Sequence, residues 1–300
     1  MPKIHYTKPY KKPKDLVLML KQRGLIIADE REAERCIGII GYYRLSAYLH
    51  PFLKNPKERH LFHNNVKFDD VVSLYDFDKE LRVFLFKAIS EIEIAVRSSI
   101  ANLGVEVLSD NFWFTNPAYF VVSTPRRQAY DLSVIKKEYD RSKEQFVKSF
   151  KSKYLETLPP SWIITEVLTF GTIATAYKSI KNIRLKKTIA RRFNLEPSVF
   201  ESWVSIIGLV RNLCCHHARI WNKWRSLNPV LPRHNVPAWL TNARVRCLYF
   251  DLCIIKHFLD VIVPNNNMAD ELKRLLNKYP KIYAPSMGFP NSWENETIWK

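Results

Sequence analysis

The feature that most constrains the fold is a run of apolar residues, spaced three or four apart, between Asp69 and about Leu103. Its members are Val72, Tyr75, Leu81, Phe84, Leu85, Ala88, Ile89, Ile92, Val96 and Ile100. This spacing places them on one face of an α-helix that would be roughly 50 Å long. The same period dominates elsewhere, and the alternation typical of strands is rare. We therefore predict an all-α protein with this long helix as its spine.

Shorter helices are predicted on both sides of the spine. Before it lie 15–27 and 29–40; after it lie 131–153, 183–193 and 269–278. Proline fits the first turn of a helix, so Pro160, Pro197 and Pro237 predict further helix starts. The helix after Pro160 would run to about Ile180, and the helix after Pro197 would include Arg211. The helix after Pro237 would run to Val263.

The chain is long enough to bury a sizeable core, since it has 300 residues and 47% apolar content. It could form one large domain or two tightly packed lobes. We assign residues 1–60 to an N-terminal basic arm and helical lobe, and 61–300 to a second helical domain. Within the latter, aromatic and loop signals followed by a weakly apolar charged helix predict a flexible insert over about 104–157.

The charge balance points to a polyanionic partner. Lysine and arginine number 47 against 29 acidic residues, which gives a net charge of +18. Nucleic acid is the first partner to consider, and an anionic membrane surface the second. The basic cluster without an acid in its own span comprises Lys178, Lys181, Arg184, Lys186, Lys187, Arg191 and Arg192. We favour phosphate contact there, because the cluster precedes the segment that bears Arg211 and is expected to lack acidic partners. For Lys3, Lys8, Lys11, Lys12, Lys14, Lys21 and Arg23, a solvated surface is an equal alternative.

Several protein classes are disfavoured. The five cysteines are odd in number and lack a C-x-x-C spacing, which argues against a disulfide framework or a zinc ribbon. The N-terminus has no signal-peptide core, and the apolar stretch Leu248–Val263 is interrupted by charges, so we expect a cytoplasmic protein that does not span a membrane. Only 7 glycines occur, and no Gly-rich phosphate loop is found, so we expect no nucleotide cofactor.

The segment 200–222 carries the strongest functional signal. Arg211, Asn212, His216, His217 and Arg219 follow an apolar helical stripe within nine residues. Arginine is a permanent planar cation that suits phosphate, and histidine exchanges a proton near neutral pH. On a continuous helix Asn212, His216 and Arg219 would share one face. Arg211 would lie about 140° away and would reach across or act with a partner chain.

Other candidates near this motif are weaker. Cys214, Cys215, His216 and His217 are adjacent and would point to opposite sides of a helix, so we expect no metal site. The looser Arg44 and His50 pair is taken as a decoy.

Charged residues also occur in apolar surroundings. Glu93 and Arg97 lie on the spine, and Glu166 lies in an apolar run. Buried charges need partners, so these residues would either orient the site or form a structural ion pair.

Five groups of residues, in order, resemble abortive-infection proteins of the AbiD/AbiF type, within the HEPN superfamily of helical ribonucleases. They are Gly41–Tyr48; Leu81–Arg82 with Ile92–Arg97; Leu158–Trp162 with Glu166 and Phe170–Gly171; Val210–Asn212 with His216–Asn222; and Met287–Trp293. The resemblance implies a HEPN-like helical bundle, a role in bacterial defence against phage, metal-independent RNA cleavage, and sites composed at a dimer interface. It matches an Arg-x4-6-His motif to Arg211 and His216. Cys215 is a departure, because many relatives are expected to have alanine there.

These observations lead to an RNA-binding endoribonuclease in which a 2′-hydroxyl attacks the adjacent phosphodiester. His216 would act as general base or acid, Arg211 would stabilise charge on the phosphate, and Asn212 would hold the histidine or the phosphate. His217 is a second choice of base, and Arg219 would contact RNA. A homodimer is expected, because one histidine leaves the second proton transfer unassigned. The alternative is a non-catalytic protein that forms a ribonucleoprotein with a structured small non-coding RNA.

Overall fold

A computed structural model describes residues 5, 7, 9–125, 128–234 and 236–300. These residues form twelve α-helices with short 3-10 turns and isolated β-bridges, and no strand. The helices are α1 (Pro13–Gln22), α2 (Glu30–Ile40), α3 (Tyr42–Leu49), α4 (Phe68–Leu108), α5 (Leu132–Arg141), α6 (Gln145–Lys153), α7 (Ser161–Ile164), α8 (Phe170–Ser179), α9 (Ile183–Arg192), α10 (Pro197–Cys215), α11 (Leu248–Ile262) and α12 (Met268–Lys278). The prediction of an all-α protein is confirmed.

The chain divides into two compact units. One comprises Met1–Leu81 with Asn277–Ile282, and the other comprises Arg82–Leu276 with Tyr283–Lys300. The domain boundary predicted at residue 60 and the insert predicted over 104–157 remain predictions. Lys3 and Lys8 of the basic N-terminus lie outside the described residues.

The smaller unit is built from α1 to α3 and the first part of α4. Asp78 is fully buried, and its Oδ2 accepts a hydrogen bond of 2.6 Å from the Tyr48 hydroxyl, which satisfies the carboxylate in the core. At the surface, Lys278 pairs with Glu80 at 2.7 Å. Exposed pairs of this kind add little stability, so the apolar contacts hold the unit together.

The spine predicted from the apolar spacing is α4, which extends a few residues beyond the expected end. Its 41 residues correspond to about 60 Å. Gly104 lies where the helix meets a buried tryptophan, because a Cβ at this position would overlap the Trp113 ring. The Trp113 Nε1 donates to the Ala101 carbonyl at 3.2 Å. The absent side chain therefore lets the indole lie against the helix backbone.

Three predicted helices are interrupted. The helix expected from Pro160 to Ile180 becomes α7, a 3-10 turn and α8, because the Thr169 hydroxyl accepts from the Thr172 amide and starts α8 anew. The helix expected over 131–153 breaks at 142–144 into α5 and α6. After Pro237 a single 3-10 turn forms, and α11 begins only at Leu248. In the last case Arg246 adopts φ of 72°, which a helix does not allow.

The helix α10 begins at Pro197, as predicted, and contacts α8, α9 and α11. The residues that it buries are Val199, Phe200, Trp203, Val204, Ile206, Ile207, Val210 and Cys214. Among the described residues it alone is long and apolar enough, at a mean hydropathy of 1.2, to cross a membrane by length and composition. Its contacts with three other helices account for that composition, as in a core helix.

Candidate functional site

The last turn of α10 closes in a defined capping structure. His216 is the C-cap residue, and His217 adopts a left-handed conformation with φ of 52°. The amide of His217 donates to the Cys214 carbonyl at 3.1 Å, and that of Ala218 donates to the Leu213 carbonyl at 2.9 Å. This pair of bonds is a Schellman motif, which normally has glycine at the left-handed position. The two histidines therefore lie on a sharply turned, well-fixed backbone.

This early end changes the predicted arrangement of the motif. Asn212 belongs to the last turn, His216 caps the helix, and Arg219 lies beyond it. The expectation that these three residues share one helical face is wrong, because Schellman closure stops the helix before Arg219. Asn212, His216 and His217 are exposed, whereas Arg219 is half-buried.

Arg211 is held by an acidic residue of the spine. Its Nε lies 3.4 Å from Glu93 Oε2, and a guanidinium nitrogen lies 3.4 Å from the Asn212 side-chain oxygen. The Arg211 Nε is buried and lacks hydrogen-bond geometry, so the contact with Glu93 is an ion pair and not a hydrogen bond. About a third of the Arg211 side chain remains accessible, at 33%. A ligand can therefore reach a guanidinium that is already fixed.

The same carboxylate binds a second arginine. Arg97 donates to Glu93 Oε1 at 2.9 Å and to the Leu168 carbonyl at 2.8 Å, and it also hydrogen-bonds the Thr165 carbonyl. Arg97 is buried, so these partners replace its lost hydration. One carboxylate between two guanidinium groups leaves a net charge of +1 in this network.

The sequence left open whether the spine charges orient the site or form a structural pair. In the structure Glu93 and Arg97 do lie together and reach Arg211. Glu166 is not part of this network: it is exposed in the turn Thr165–Val167 and has no ion pair or hydrogen bond among the described residues. The backbone of that turn, and not its carboxylate, is what contacts Arg97.

Sequence reasoning did not assign a positioning role to Arg82. This residue is buried on the spine, and its guanidinium lies 3.4 Å from the Ala218 carbonyl. Shortly after Ala218 in the chain, Ile220 and Trp221 are buried. The backbone that follows the histidines is therefore held by the Arg82 contact and by these two buried side chains. A charge at a core position of an apolar helical stripe was the signal that could have identified Arg82.

A second ion pair is buried beneath this segment. Arg225 and Asp251 form it, and both side chains are almost fully buried. Burial raises the pKa of the Asp251 carboxyl to about 7, although the Arg225 guanidinium opposes the rise. These two residues line a cavity of about 250 Å³ together with Leu213 and Ile220.

The predicted RNA-binding cluster separates into two groups. Arg184, Lys187, Arg191 and Arg192 are exposed on α9 and form no ion pair among the described residues. The remaining members have intramolecular partners: Lys186 pairs with Glu201 at 3.2 Å, Lys178 lies 4.0 Å from Glu201, and Lys181 donates to the Ala118 carbonyl at 3.1 Å. The expectation that the cluster lacks an acidic partner is wrong for Lys186 and Lys178, because α10 packs against this region and contributes Glu201. Four cations are therefore left for a ligand.

No group of three or more His, Cys, Asp or Glu side chains in the described part of the chain is arranged to hold a metal ion. The observed site consists of an arginine fixed by a partly buried carboxylate, and two exposed histidines on a capped helix end.

The fold and this site define an all-α protein with an arginine–histidine motif in which a carboxylate holds the arginine in place. The chain belongs to the Abi-like protein family, whose model matches residues 35–222. The matched region contains the spine helix, Glu93, Arg211 and His216, and it ends at Asn222. Family membership suggests a role in abortive infection. No curated protein and no solved structure was found to match the chain. Assignment to the AbiD/AbiF type and to the HEPN superfamily remains a prediction.

Proposed function

We propose that the protein is a cytoplasmic, RNA-binding, metal-independent endoribonuclease that acts in bacterial defence against phage. The observation that carries this proposal is the fixed position of Arg211, which Glu93 holds in the last turns of α10, five residues before the exposed C-cap residue His216. A fixed cation next to a proton-transferring group is what cleavage of a phosphodiester by side chains requires. Membership of the Abi-like family supports the biological role.

In the proposed reaction the 2′-hydroxyl of one nucleotide attacks the phosphorus that follows it. The 2′-oxygen forms a bond to phosphorus as it loses its proton, and the bond to the 5′-oxygen of the next nucleotide breaks as that oxygen gains one. The products are a 2′,3′-cyclic phosphate and a 5′-hydroxyl. His216 takes or gives one of these protons, and Arg211 stabilises the charge on the non-bridging oxygens. Asn212, exposed beside Arg211, donates a hydrogen bond to the phosphate or the histidine.

The reaction has two proton transfers, so a second group is needed besides His216. Within the same chain that group would be His217. It could instead be His216 of a partner chain, and we propose a homodimer for this reason. Sedimentation of the protein with and without RNA tests it: a monomer that cleaves RNA at the full rate would contradict the dimer. Arg219 and the exposed cations of α9 would then bind the rest of the RNA.

The second candidate function is a non-catalytic RNA-binding protein that holds a structured small RNA. The ion pair of Arg211 with Glu93 favours this candidate, because a buried network of this kind also has a structural use. Both candidates predict salt-dependent RNA binding, so affinity does not separate them. The chemical groups at the ends of the RNA do separate the two candidates, because only the nuclease would generate cyclic-phosphate ends.

The decisive experiment compares RNA cleavage by the wild-type protein and by Arg211→Ala/His216→Ala. The matched control is Arg44→Ala/His50→Ala, since this pair has similar spacing and both side chains are exposed in the other unit. We expect cyclic-phosphate ends with the wild type and the control, and none with the site variant. Uncut RNA retained equally by all three proteins would support the ribonucleoprotein instead. Purification without added nuclease, followed by sequencing of the bound RNA, identifies the substrate in either case.

A further inference from the structure

A cavity of about 690 Å³ lies at the N-terminal end of α10, away from the arginine–histidine motif. Its volume falls within the range of about 300–1,000 Å³ that is usual for small-molecule sites. The walls come from α9, the turn that joins α9 to α10, the loop residues Pro232, His234 and Pro237, and α11. Two of the exposed basic residues of α9, Lys187 and Arg191, therefore line a concave site.

Positive charge is concentrated on one wall. Lys187 and Arg191 lie four residues apart on α9, both line the cavity, and neither has an ion pair among the described residues. Glu196 and Pro197, at the start of α10, also line it, so the positive end of that helix dipole lies at the cavity. Two cations without an acidic partner suit a phosphate group, and they outweigh the single carboxylate of Glu196 at the helix start.

Hydrogen-bond acceptors also line the cavity. The Nε2 of His257 lies 3.0 Å from the Phe193 carbonyl, which can only accept, so Nε2 carries the proton. Burial lowers the pKa of His257, which keeps the ring neutral at neutral pH. Its Nδ1 is then left as an acceptor, and the Glu196 carboxylate is a second one. Acceptors of this kind suit the N–H groups of a base or the hydroxyls of a ribose.

Several of the remaining lining residues are apolar. They include Leu195, Pro197, Pro232 and Pro237. Asn194, which also lines the cavity, is fixed in a left-handed conformation with φ of 55°, and its amide donates to the Arg191 carbonyl at 3.0 Å. Apolar lining residues can contact a base, and the Asn194 side chain adds a donor group and an acceptor group.

We propose that this cavity binds a nucleoside phosphate, either free or as the phosphorylated end of an RNA. Lys187 and Arg191 contact the phosphate, and the acceptors and apolar walls contact the nucleoside. For an RNA end, the inference rests on the RNA binding proposed above. The cavity and Arg211 lie towards opposite ends of α10, so the two sites can be inactivated separately.

Isothermal titration calorimetry of the full chain with the four nucleoside monophosphates, phosphorylated at the 5′ or the 3′ position, tests the proposal. Unphosphorylated nucleosides and inorganic phosphate are the comparison ligands. We expect at least one monophosphate to bind, and its nucleoside to bind at least about tenfold more weakly, because charge-assisted contacts are lost. Lys187→Gln and Arg191→Gln should each weaken binding about tenfold for the same reason. Arg192→Gln is the matched control, since this exposed neighbour does not line the cavity.

Competition distinguishes the two sources of the ligand. A short RNA with a phosphorylated end that displaces the monophosphate, when its hydroxyl-ended form does not, identifies an RNA end; no displacement identifies a free nucleotide. Absence of binding to every monophosphate at millimolar concentration would overturn the proposal. Equal binding by the wild type and Lys187→Gln/Arg191→Gln would overturn it as well, once urea unfolding shows both proteins folded. His216→Ala should bind the monophosphate normally, so failure of the nuclease proposal leaves this result intact.

Discussion

The two ends of α10 present positive charge in opposite ways. At the C-terminal end, Arg211 is held by Glu93, and Glu93 is held in turn by the buried Arg97. At the N-terminal end, Lys187 and Arg191 border an open cavity and have no ion pair among the described residues. The ends are about 27 Å apart along the helix axis.

A paired cation and an unpaired cation suit different functions. An arginine held by a carboxylate has a fixed direction but lower net charge, which suits stabilisation of a single developing charge. Unpaired cations keep their full charge and can adapt to a ligand, which suits binding. We therefore expect the C-terminal end to control the rate of a reaction and the N-terminal end to control affinity.

The largest expected effect is on catalysis. His216→Ala should lower kcat for RNA cleavage by about 10²–10⁴-fold, because a general acid or base is removed, and should change KM little. Lys187→Gln/Arg191→Gln should instead raise KM and leave kcat within a few-fold of the wild type. Single-turnover kinetics separates the two parameters. A fall in kcat from the α9 variant as large as that from His216→Ala would remove the distinction between the two ends.

The next largest effect concerns the contribution of the Glu93 network, at the C-terminal end of α10, to the stability of the protein. Glu93→Gln should lower the free energy of unfolding by about 3–5 kcal/mol, because it leaves the buried Arg97 without its ionic partner. Glu91→Gln is the control: Glu91 is exposed on the same helix, so the change should stay within about 0.5 kcal/mol. Urea unfolding measures both. Equal stability of the two variants would mean that the network does not hold Arg211.

A pH effect should come from the buried pair after the motif. The pKa of Asp251 is raised to about 7 in the folded protein, above the value of about 3.9 for an unfolded aspartate. The folded state therefore holds the proton more tightly, and this contribution to stability is present below pH 4 and is lost as the pH rises to about 7. Unfolding of Asp251→Asn, measured across this range, should show a smaller decline with pH. An unchanged pH dependence would show that Asp251 is ionised throughout, as its pairing with Arg225 alone would favour.

The smallest expected effect compares two helix ends that close in the same way. Both α9 and α10 end in a Schellman motif with a residue other than glycine in the left-handed position, Asn194 and His217 respectively. Asparagine tolerates this conformation better than histidine does. His217→Gly should therefore stabilise the protein by up to about 1 kcal/mol, and Asn194→Gly should change it less. Thermal unfolding of both variants checks this, and a loss of stability in His217→Gly would indicate that the imidazole contributes more than its backbone strain costs.

Activity of His217→Gly sharpens the assignment of the proton-transfer groups. If His217 supplies one of the two transfers, cleavage should fall even though the helix end is more stable. Retained cleavage would assign both transfers to His216 from two chains, which a mixed dimer of wild-type and His216→Ala subunits could then test.

The amino-acid sequence by itself determined the all-α class, the spine helix and the presence of an apolar helix that leads into the motif. These properties follow from residue spacing and from local signals such as Pro197, which act over one or two turns. The sequence also indicated that Glu93 and Arg97 need partners, because an apolar stripe implies burial of its charges.

Only the tertiary structure decided where α10 ends and which charges are paired. The Schellman turn at His217 depends on backbone hydrogen bonds that a histidine does not predict, and it moves Arg219 away from the expected face. The partners of Arg211, of the Ala218 carbonyl and of Lys186 come from segments about 118, 136 and 15 residues away in the chain. The cavity beside α9 likewise needs three segments that are separate in the chain. Local sequence does not show which distant segments come into contact, since these contacts are set by how the helices pack.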